Sequence, residues 1–321
     1  MTQQVMLYQH KVSSCTTNSF SPDTGSASST KSMNIQNIPD DVLKLIFEEA
    51  YSHGPHCWDC PEDKIVIATH VCHRWRCLAT DLARLWACLH VPWRPELIAV
   101  YIQRAKLQPL SVMCMNDDML AVAPFKAPDP DVDRAVLLGC FAFLLGFSQR
   151  WKRLEIRTGS DIGWCDLLMP ALKTSVMPSL EYFLLRWDDM DEDFGFPLCA
   201  PLVEFQAEGD CLCDASFSNP SLLSLQIVKL SSCELPTSHL SGLSQAAPHL
   251  KELMLEHVEL DTDRLQHIVH FPRLTSLTFT PAAHTTCEEI MDCIDAPSLM
   301  ARSCCIMSRI RATVATTRKN A

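Results

Sequence analysis

The segment Pro248-His249-Leu250-Lys251-Glu252-Leu253-Met254-Leu255 carries the pattern that decides the fold of this chain: a proline, a leucine two positions later, then apolar residues alternating with others. The pattern returns at Pro272-Arg273-Leu274-Thr275-Ser276-Leu277-Thr278-Phe279. Alternation with a period of two is typical of a β-strand that buries one face. The sequence therefore predicts a strand after each such proline.

This pattern recurs along the second half of the chain at intervals of 19 to 28 residues. Segments 109–113 and 151–156 resemble earlier copies of the same strand. The interval suits a strand followed by a return helix, and leucine-rich repeats have a period of about 20–29 residues. We therefore predict an irregular leucine-rich-repeat solenoid, in which a curved parallel sheet is backed by return helices. The prolines that mark the copies are Pro178, Pro201, Pro220, Pro248 and Pro272, with a truncated copy at Pro297.

Two return helices have candidate starts in the sequence. The segment 286–289 matches a capping box and predicts a helix that continues through Ile294. Asp261 or Thr262 could cap a second helix that continues through Val269. The alternation also predicts which side chains lie on the concave face of the sheet, where a protein substrate would bind. These speculative contact residues are Glu181, Tyr182, Lys251, Glu252, Met254, Arg273, Thr275 and Thr278.

The segment that precedes the repeats predicts three short helices. Pro39 suits a first helical turn, and Asp40 and Asp41 complement the positive end of the helix dipole. A second helix is predicted from about Lys64 to Leu78, and a third short turn holds Leu82, Leu85 and Trp86. Three helices of this length form a small domain with little spare core, which favours an apolar face shared with a partner.

The residues of these helices resemble the F-box, in particular the F-box-like domains of fungal proteins. The family pattern Leu-Pro-x-Glu-Leu-Leu-x-x-Ile-Phe corresponds to 38–47, and Val-Cys-(basic)-(basic)-Trp corresponds to 71–75. Ile38, Asp41 and Val42 are mild departures from that pattern. The resemblance covers residues 35–90. It implies that the residues binding or supporting an adaptor are Pro39, Leu43, Ile46, Phe47, Val71, Cys72, Trp75, Leu85 and Trp86.

The resemblance also implies a function. An F-box docks on a Skp-family adaptor and through it on a cullin, so the expected role is the substrate receptor of an SCF-type cullin–RING ubiquitin ligase. The repeat sheet would hold a protein substrate that the sequence does not identify. Such a receptor is not itself an enzyme and needs no cofactor, and the chain has no P-loop, Gly-x-Gly-x-x-Gly or Gly-x-Ser-x-Gly motif. An F-box scaffold that acts outside ubiquitination is an open alternative.

Composition excludes several other classes. The net charge of −11 has the wrong sign for a general nucleic-acid binder. The longest uncharged apolar run, 135–147, is shorter than the roughly 20 residues that a membrane span needs, and it predicts a buried core helix. Seventeen cysteines, an odd number, with no signal sequence at Met1 favour free thiols in a reducing compartment, with most of them buried. We expect an intracellular protein, cytoplasmic or nuclear.

A zinc-binding or redox protein is the alternative from another class. It depends on the loop 53–60. There Cys57 and Cys60 form a Cys-x-x-Cys motif, which is the usual spacing of the first two ligands of a tetrahedral zinc site. If a metal binds, its ligands are Cys57, Cys60, His53 and His56.

Four regions follow from these patterns. We predict a disordered tail at 1–32, since twelve of the residues 13–32 are Ser or Thr, and an F-box-like domain at 33–93. The irregular repeats are expected at 94–300, and a basic, poorly ordered tail at 301–321, with no complete strand after Pro297.

Overall fold

A computed structural model describes residues 35–52, 61–91, 93, 95–115, 130–158, 165–187, 200–209, 220–261, 268–281 and 293–304. The chain divides into two units, residues 1–43 and 44–321. The described part of the first unit holds a 3-10 turn at Ile35–Asn37 and the start of the first helix, where the Leu43 amide donates to the Pro39 carbonyl at 3.0 Å.

The described helices are short, and most lie between strands of the sheet. They are α1 (Asp40–Ser52), α2 (Pro61–Val71), α3 (His73–Asp81), α4 (Pro95–Ala105), α5 (Pro130–Leu145), α6 (Cys165–Thr174) and α7 (Thr237–Ala246). Further 3-10 turns are Ala83–Trp86, Ser148–Arg150 and Pro220–Ser224. None of the helices in the described ranges is long and apolar enough to span a bilayer.

Within the described residues of the second unit, the strands form an open, ten-stranded sheet whose pairings are parallel, and a separate parallel pair, β9 with β11. The order in the sheet is β1-β2-β3-β4-β5-β6-β8-β10-β12, with β7 attached to β8. The bounds are β1 (Cys88–Val91), β2 (Leu110–Met115), β3 (Trp151–Thr158), β4 (Tyr182–Trp187), β5 (Glu204–Glu208), β6 (Ile227–Ser231), β7 (Glu234–Pro236), β8 (Glu252–Asp261), β9 (Val269–His270), β10 (Ser276–Pro281), β11 (Ile294–Asp295) and β12 (Ala301–Cys304).

The α/β class and the parallel sheet are confirmed. Each predicted strand from 109–113 to Pro272 has a counterpart, β2 to β6, β8 and β10. The sheet nevertheless begins at β1, inside the span predicted for the first domain. The expectation of no complete strand after Pro297 is wrong, because β12 follows it and pairs with β10.

Two predictions of return helices are wrong where the structure describes them. Val269 lies in β9 and Ile294 in β11, and these two strands pair with each other, so neither predicted helix extends through its last residue. Of the proposed caps, Asp261 is the last residue of β8, whereas Thr262 and 286–289 lie outside the described residues. The predicted second helix is also interrupted, because Cys72 adopts an extended conformation (φ −159°, ψ 170°) between α2 and α3.

Strand alternation builds the core. In register across β1, β2, β3, β4, β5, β6, β8 and β10, two rows of apolar side chains are at most 4% exposed. Burying one such side chain contributes about 1.5–3 kcal/mol. The rows are Leu89, Val112, Leu154, Phe183, Phe205, Val228, Leu253 and Leu277, and Val91, Cys114, Ile156, Leu185, Ala207, Leu230, Leu255 and Phe279. The side chains between them form the opposite face, here named the open face.

A residue with a positive φ occurs at the same register in three neighbouring strands. Gly209 follows β5, Ser232 follows β6, and His257 interrupts β8, with φ values of 90°, 53° and 54°. The amides of Gly209 and Ser232 donate to Ser231 and Glu256 on the next strand, at 3.0 and 2.9 Å. In β10 the register shifts at Pro281, whose ring forbids a positive φ.

The exposed Ser232 therefore holds a conformation that suits glycine. Ser232→Gly should raise the free energy of unfolding by about 0.5–1 kcal/mol, because removing Cβ relieves the left-handed strain. Urea denaturation measures this. Ser231→Gly, one residue earlier in the regular strand β6, is the matched control and should lower stability. A destabilised Ser232→Gly would contradict the assignment of the turn.

Candidate functional site

The residues predicted to form or support an adaptor surface divide into buried and accessible groups. Leu43, Phe47, Leu85 and Trp86 are at most 8% exposed. Trp75 is half-buried. The accessible residues are Pro39, Ile46, Val71 and Cys72.

Aromatic residues of the motif hold the helices together. Phe47 on α1 meets Trp75 on α3 edge to face, with ring centroids 5.0 Å apart. The Trp86 indole Nε1 donates to the Ala79 carbonyl at 2.8 Å, and the Arg104 guanidinium lies 4.2 Å above its ring. Phe47, Trp75 and Trp86 therefore support the helices from within.

Cys72 has a local role that its place in the motif did not reveal. Its sulfur accepts a hydrogen bond from the Trp75 amide at 3.5 Å, which caps the first turn of α3. It satisfies one of the amides that a helix start leaves without a partner. Of the seven cysteines whose side-chain burial is described, Cys114, Cys140, Cys233 and Cys293 are buried, whereas Cys72 and Cys77 are exposed.

Exposed apolar side chains that the motif did not single out stand near Ile46 and Val71 in sequence. Leu45 on α1 and Ile67 on α2 are 64% and 60% exposed, and Val66 is 38% exposed. Large apolar side chains concentrated at a surface mark an interaction site more often than scattered ones do. Helical periodicity missed them because α2 is apolar on several sides: Ile65-Val66-Ile67-Ala68 is an unbroken apolar run.

The predicted concave residues fall into two sets. Tyr182, Glu252, Met254 and Thr278 lie within strands on the open face. The other four, Glu181, Lys251, Arg273 and Thr275, precede the strands in the connecting turns. Tyr182 is only 9% exposed, so it is not the freely accessible contact that alternation predicted.

A charged cluster that the sequence interpretation missed surrounds Tyr182. On β3, Glu155 is 1% exposed and accepts from Arg153 Nε at 2.6 Å and from Arg157 Nη2 at 3.1 Å. The Arg153 guanidinium carbon lies 3.4 Å from the centroid of the Tyr182 ring on β4. The signal was present in the alternation of Arg153, Glu155 and Arg157, since period two places all three on one face.

Neighbouring strands continue the charged face. On β5, Glu204 Oε1 accepts from Lys229 Nζ on β6 at 2.7 Å, and Glu208 approaches Arg186 Nε on β4 at 3.6 Å. Burial raises the pKa of the Tyr182 hydroxyl, aided by Glu155 and Glu204 and opposed by Arg153 and Arg157. Tyr182 is therefore neutral at physiological pH and able to donate a hydrogen bond.

His90 is a second polar group on the open face that sequence analysis overlooked. It is 5% exposed, it stacks on Trp93 with ring centroids 4.9 Å apart, and its Nε2 lies 3.6 Å from Cys88 Sγ. Burial lowers the pKa of His90 from 6.5 to about 4, because the surroundings disfavour the imidazolium. The residue is neutral at pH 7.

The zinc hypothesis is not tested by this geometry. Its candidate ligands His53, His56, Cys57 and Cys60 lie outside the described residues. Within the described ranges, no three His, Cys, Asp or Glu side chains converge as a metal site would require.

The Tyr182 hydroxyl has no hydrogen-bond partner among the described residues, although it is buried. An unsatisfied buried hydroxyl costs about 1–3 kcal/mol. Tyr182→Phe should therefore raise the free energy of unfolding by about 1 kcal/mol in urea denaturation. Ser221→Ala is the control, because the Ser221 hydroxyl accepts from the Ala200 amide at 3.0 Å and its loss should destabilise. A destabilised Tyr182→Phe would mean that the hydroxyl has an acceptor.

His90 should make stability depend on pH. An unfolded His titrates near 6.5 and the folded one near 4, so the unfolded state binds the proton first and stability falls as pH drops through this window. The loss attributable to His90 between pH 8 and pH 5 is about 2 kcal/mol. Urea denaturation at several pH values measures it, and His90→Gln should flatten the profile. Identical profiles for the two proteins would show that His90 does not titrate in this window.

No protein-family model matches the chain, and no curated protein matches it.

Proposed function

We propose that this chain is an F-box substrate receptor of an SCF-type cullin–RING ubiquitin ligase. The observation that carries the proposal is the division of the motif at 38–86. Phe47, Trp75 and Trp86 hold the helices together, whereas Ile46 and Val71 remain at the surface. A small helical domain that leaves apolar side chains exposed at motif positions has the character of a docking module.

The adaptor surface in this proposal is smaller than the motif alone implied. Ile46 and Val71 contact the Skp-family adaptor, and Leu45, Val66 and Ile67 extend the apolar surface. The buried residues Leu43, Phe47, Leu85 and Trp86 support it from the interior, and Cys72 contributes by capping α3. Apolar residues at the centre of an interface supply most of its binding energy.

The parallel sheet is the substrate-binding part of the proposal, interpreted as a leucine-rich-repeat solenoid. Three features support this interpretation: recurrence of the proline-leucine pattern, strand order that follows the chain, and two continuous apolar rows. Every second residue of each strand presents its side chain on the open face, so rows of varied side chains run across the sheet. An extended surface of this kind suits a protein ligand better than a small molecule.

The chain itself performs no chemistry under this proposal. The adaptor and cullin bring the ligase-bound conjugating enzyme close to lysines of the bound substrate. Tethering raises the effective concentration of those lysines, which accelerates transfer without a catalytic residue in the receptor. The chain needs two binding surfaces held in a fixed relation by its own fold.

Substitution at the exposed motif positions tests adaptor binding. Ile46→Asp and Val71→Asp should each weaken capture of a purified Skp-family adaptor at least about tenfold, because each buries a carboxylate in an apolar interface. Leu107→Asp is the matched control, since Leu107 is 91% exposed away from the motif, and it should bind normally.

The measurement is co-purification followed by titration, with circular dichroism to confirm folding. Leu43 is unsuitable for this test because it is 1% exposed and its substitution would disturb the core. Adaptor binding unaffected by both substitutions, or absent in the unmodified chain, would refute the proposal.

A further inference from the structure

The open face of β3 and β4 is positively charged although the chain as a whole is acidic. Arg153, Arg157 and Arg186 stand there against the single carboxylate of Glu155. The whole chain carries a net charge of −11. A local excess of guanidinium groups in an acidic protein attracts an anionic ligand to one place on its surface.

The buried donors of this cluster that have no acceptor among the described residues include the Nη2 atom of Arg153 and the hydroxyl of Tyr182. Arg153 Nε donates a hydrogen bond to Glu155, and the guanidinium stacks on the Tyr182 ring. These two contacts hold the side chain in place, while Nη2 has no acceptor among the described residues. Buried polar groups in native proteins nearly always have a hydrogen-bond partner. Two buried donors without an acceptor therefore indicate a position where a ligand could accept hydrogen bonds.

The cluster restricts what that acceptor can be. The ligand must accept hydrogen bonds, since Arg153 Nη2 and the Tyr182 hydroxyl are both donors. The three arginines favour a ligand with a negative charge. It must also be small, because both donor atoms are buried and the Arg153 side chain is only a quarter exposed. A carboxylate at the end of a flexible side chain meets all three conditions.

The neighbouring strand limits the length of the positive surface. Glu204 and Glu208 on β5 stand beside Tyr182 and Arg186 in register. A nucleic-acid backbone places charges continuously and needs an extended basic stripe, which these carboxylates interrupt. An isolated acidic side chain within a peptide needs only the one positive position.

We propose that the open face around Arg153, Tyr182 and Arg186 binds an Asp or Glu side chain of a substrate protein. This inference rests on the proposed function, because it names the class of substrate segment that the receptor holds. Arg153 Nη2 and the Tyr182 hydroxyl donate to the carboxylate, and Arg186, whose 3.6 Å contact with Glu208 is long, supplies further positive charge.

Fluorescence anisotropy with the full chain tests the proposal. The probes are labelled short peptides rich in Glu, with control peptides that carry Gln at every Glu position. The Glu peptide should bind at least about tenfold more tightly than the Gln peptide, as expected for charge-assisted hydrogen bonds. Equal binding of the two peptides overturns the proposal.

Three variants localise the site. Tyr182→Phe removes only the idle hydroxyl and should weaken the Glu peptide about fivefold to tenfold, and Arg186→Gln should weaken it comparably. Lys251→Gln makes the same change of charge on the β8 side, where Lys251 Nζ donates to Gln226 at 2.8 Å, and should leave affinity within about twofold. Unchanged affinity of Tyr182→Phe, or equal losses in all three variants, overturns the assignment.

Two further probes separate competing ligands. If a phosphoserine peptide binds more tightly than the Glu peptide, the preferred ligand is a phosphate and the proposal is overturned. A single-stranded RNA that competes equally well would overturn the choice of a peptide.

Failure of the proposed function is distinguishable from failure of this inference. If the chain does not bind the adaptor but binds the Glu peptide through Tyr182, the acidic-ligand site stands and the receptor role fails. If Ile46→Asp abolishes adaptor binding while no Glu peptide binds, the inference is overturned and the receptor role stands.

Discussion

The shared register of the parallel strands is the constraint on which the rest of the structure depends. Leu253 and Leu255 point into the core only while β8 keeps its alignment with β6 and β10. A slip by one residue would exchange the two faces and expose both leucines, forfeiting several kcal/mol at about 1.5–3 kcal/mol per side chain. The same alignment sets the positions of Arg153, Glu155 and Arg157, so the charged cluster is a product of core packing.

The repeated strands were predictable because each copy of the pattern has a similar arrangement of alternating apolar residues. Leu253 and Leu277, a repeat apart, occupy paired positions in neighbouring strands, as alternation predicts. The connections were less predictable. Val269 and Ile294 are apolar residues in short segments, where helix and strand periodicity cannot be told apart, and they pair as strands. The strand β1 has only four residues, Cys88–Val91, with two alternating apolar positions, which are too few to identify it as a copy of the pattern.

The candidate sites show a different limit of sequence interpretation. Alternation assigns a residue to a face, but its burial depends on side chains from neighbouring strands. Tyr182 was expected to be accessible and is instead covered, with Arg153 from β3 stacked on its ring. Within the helices, Ile46 and Phe47 are adjacent and both apolar, yet one is exposed and the other meets Trp75. A single sequence contains no measure of that contact, because Phe47 and Trp75 are brought together only by folding.

The order of the strands has a consequence for how this protein gains and loses structure. Most strands of the main sheet pair only with those nearest along the chain, so closing each contact spans a single connecting segment and costs less entropy than pairing distant strands would. Folding can then start at any pair of strands and spread to both sides. An interior strand such as β5 is held by two neighbours, whereas β12 pairs with β10 alone among the described strands. Edge strands are therefore expected to fray before interior ones, and the Arg153–Glu155–Arg157 cluster lies on β3, which has a neighbour on each side.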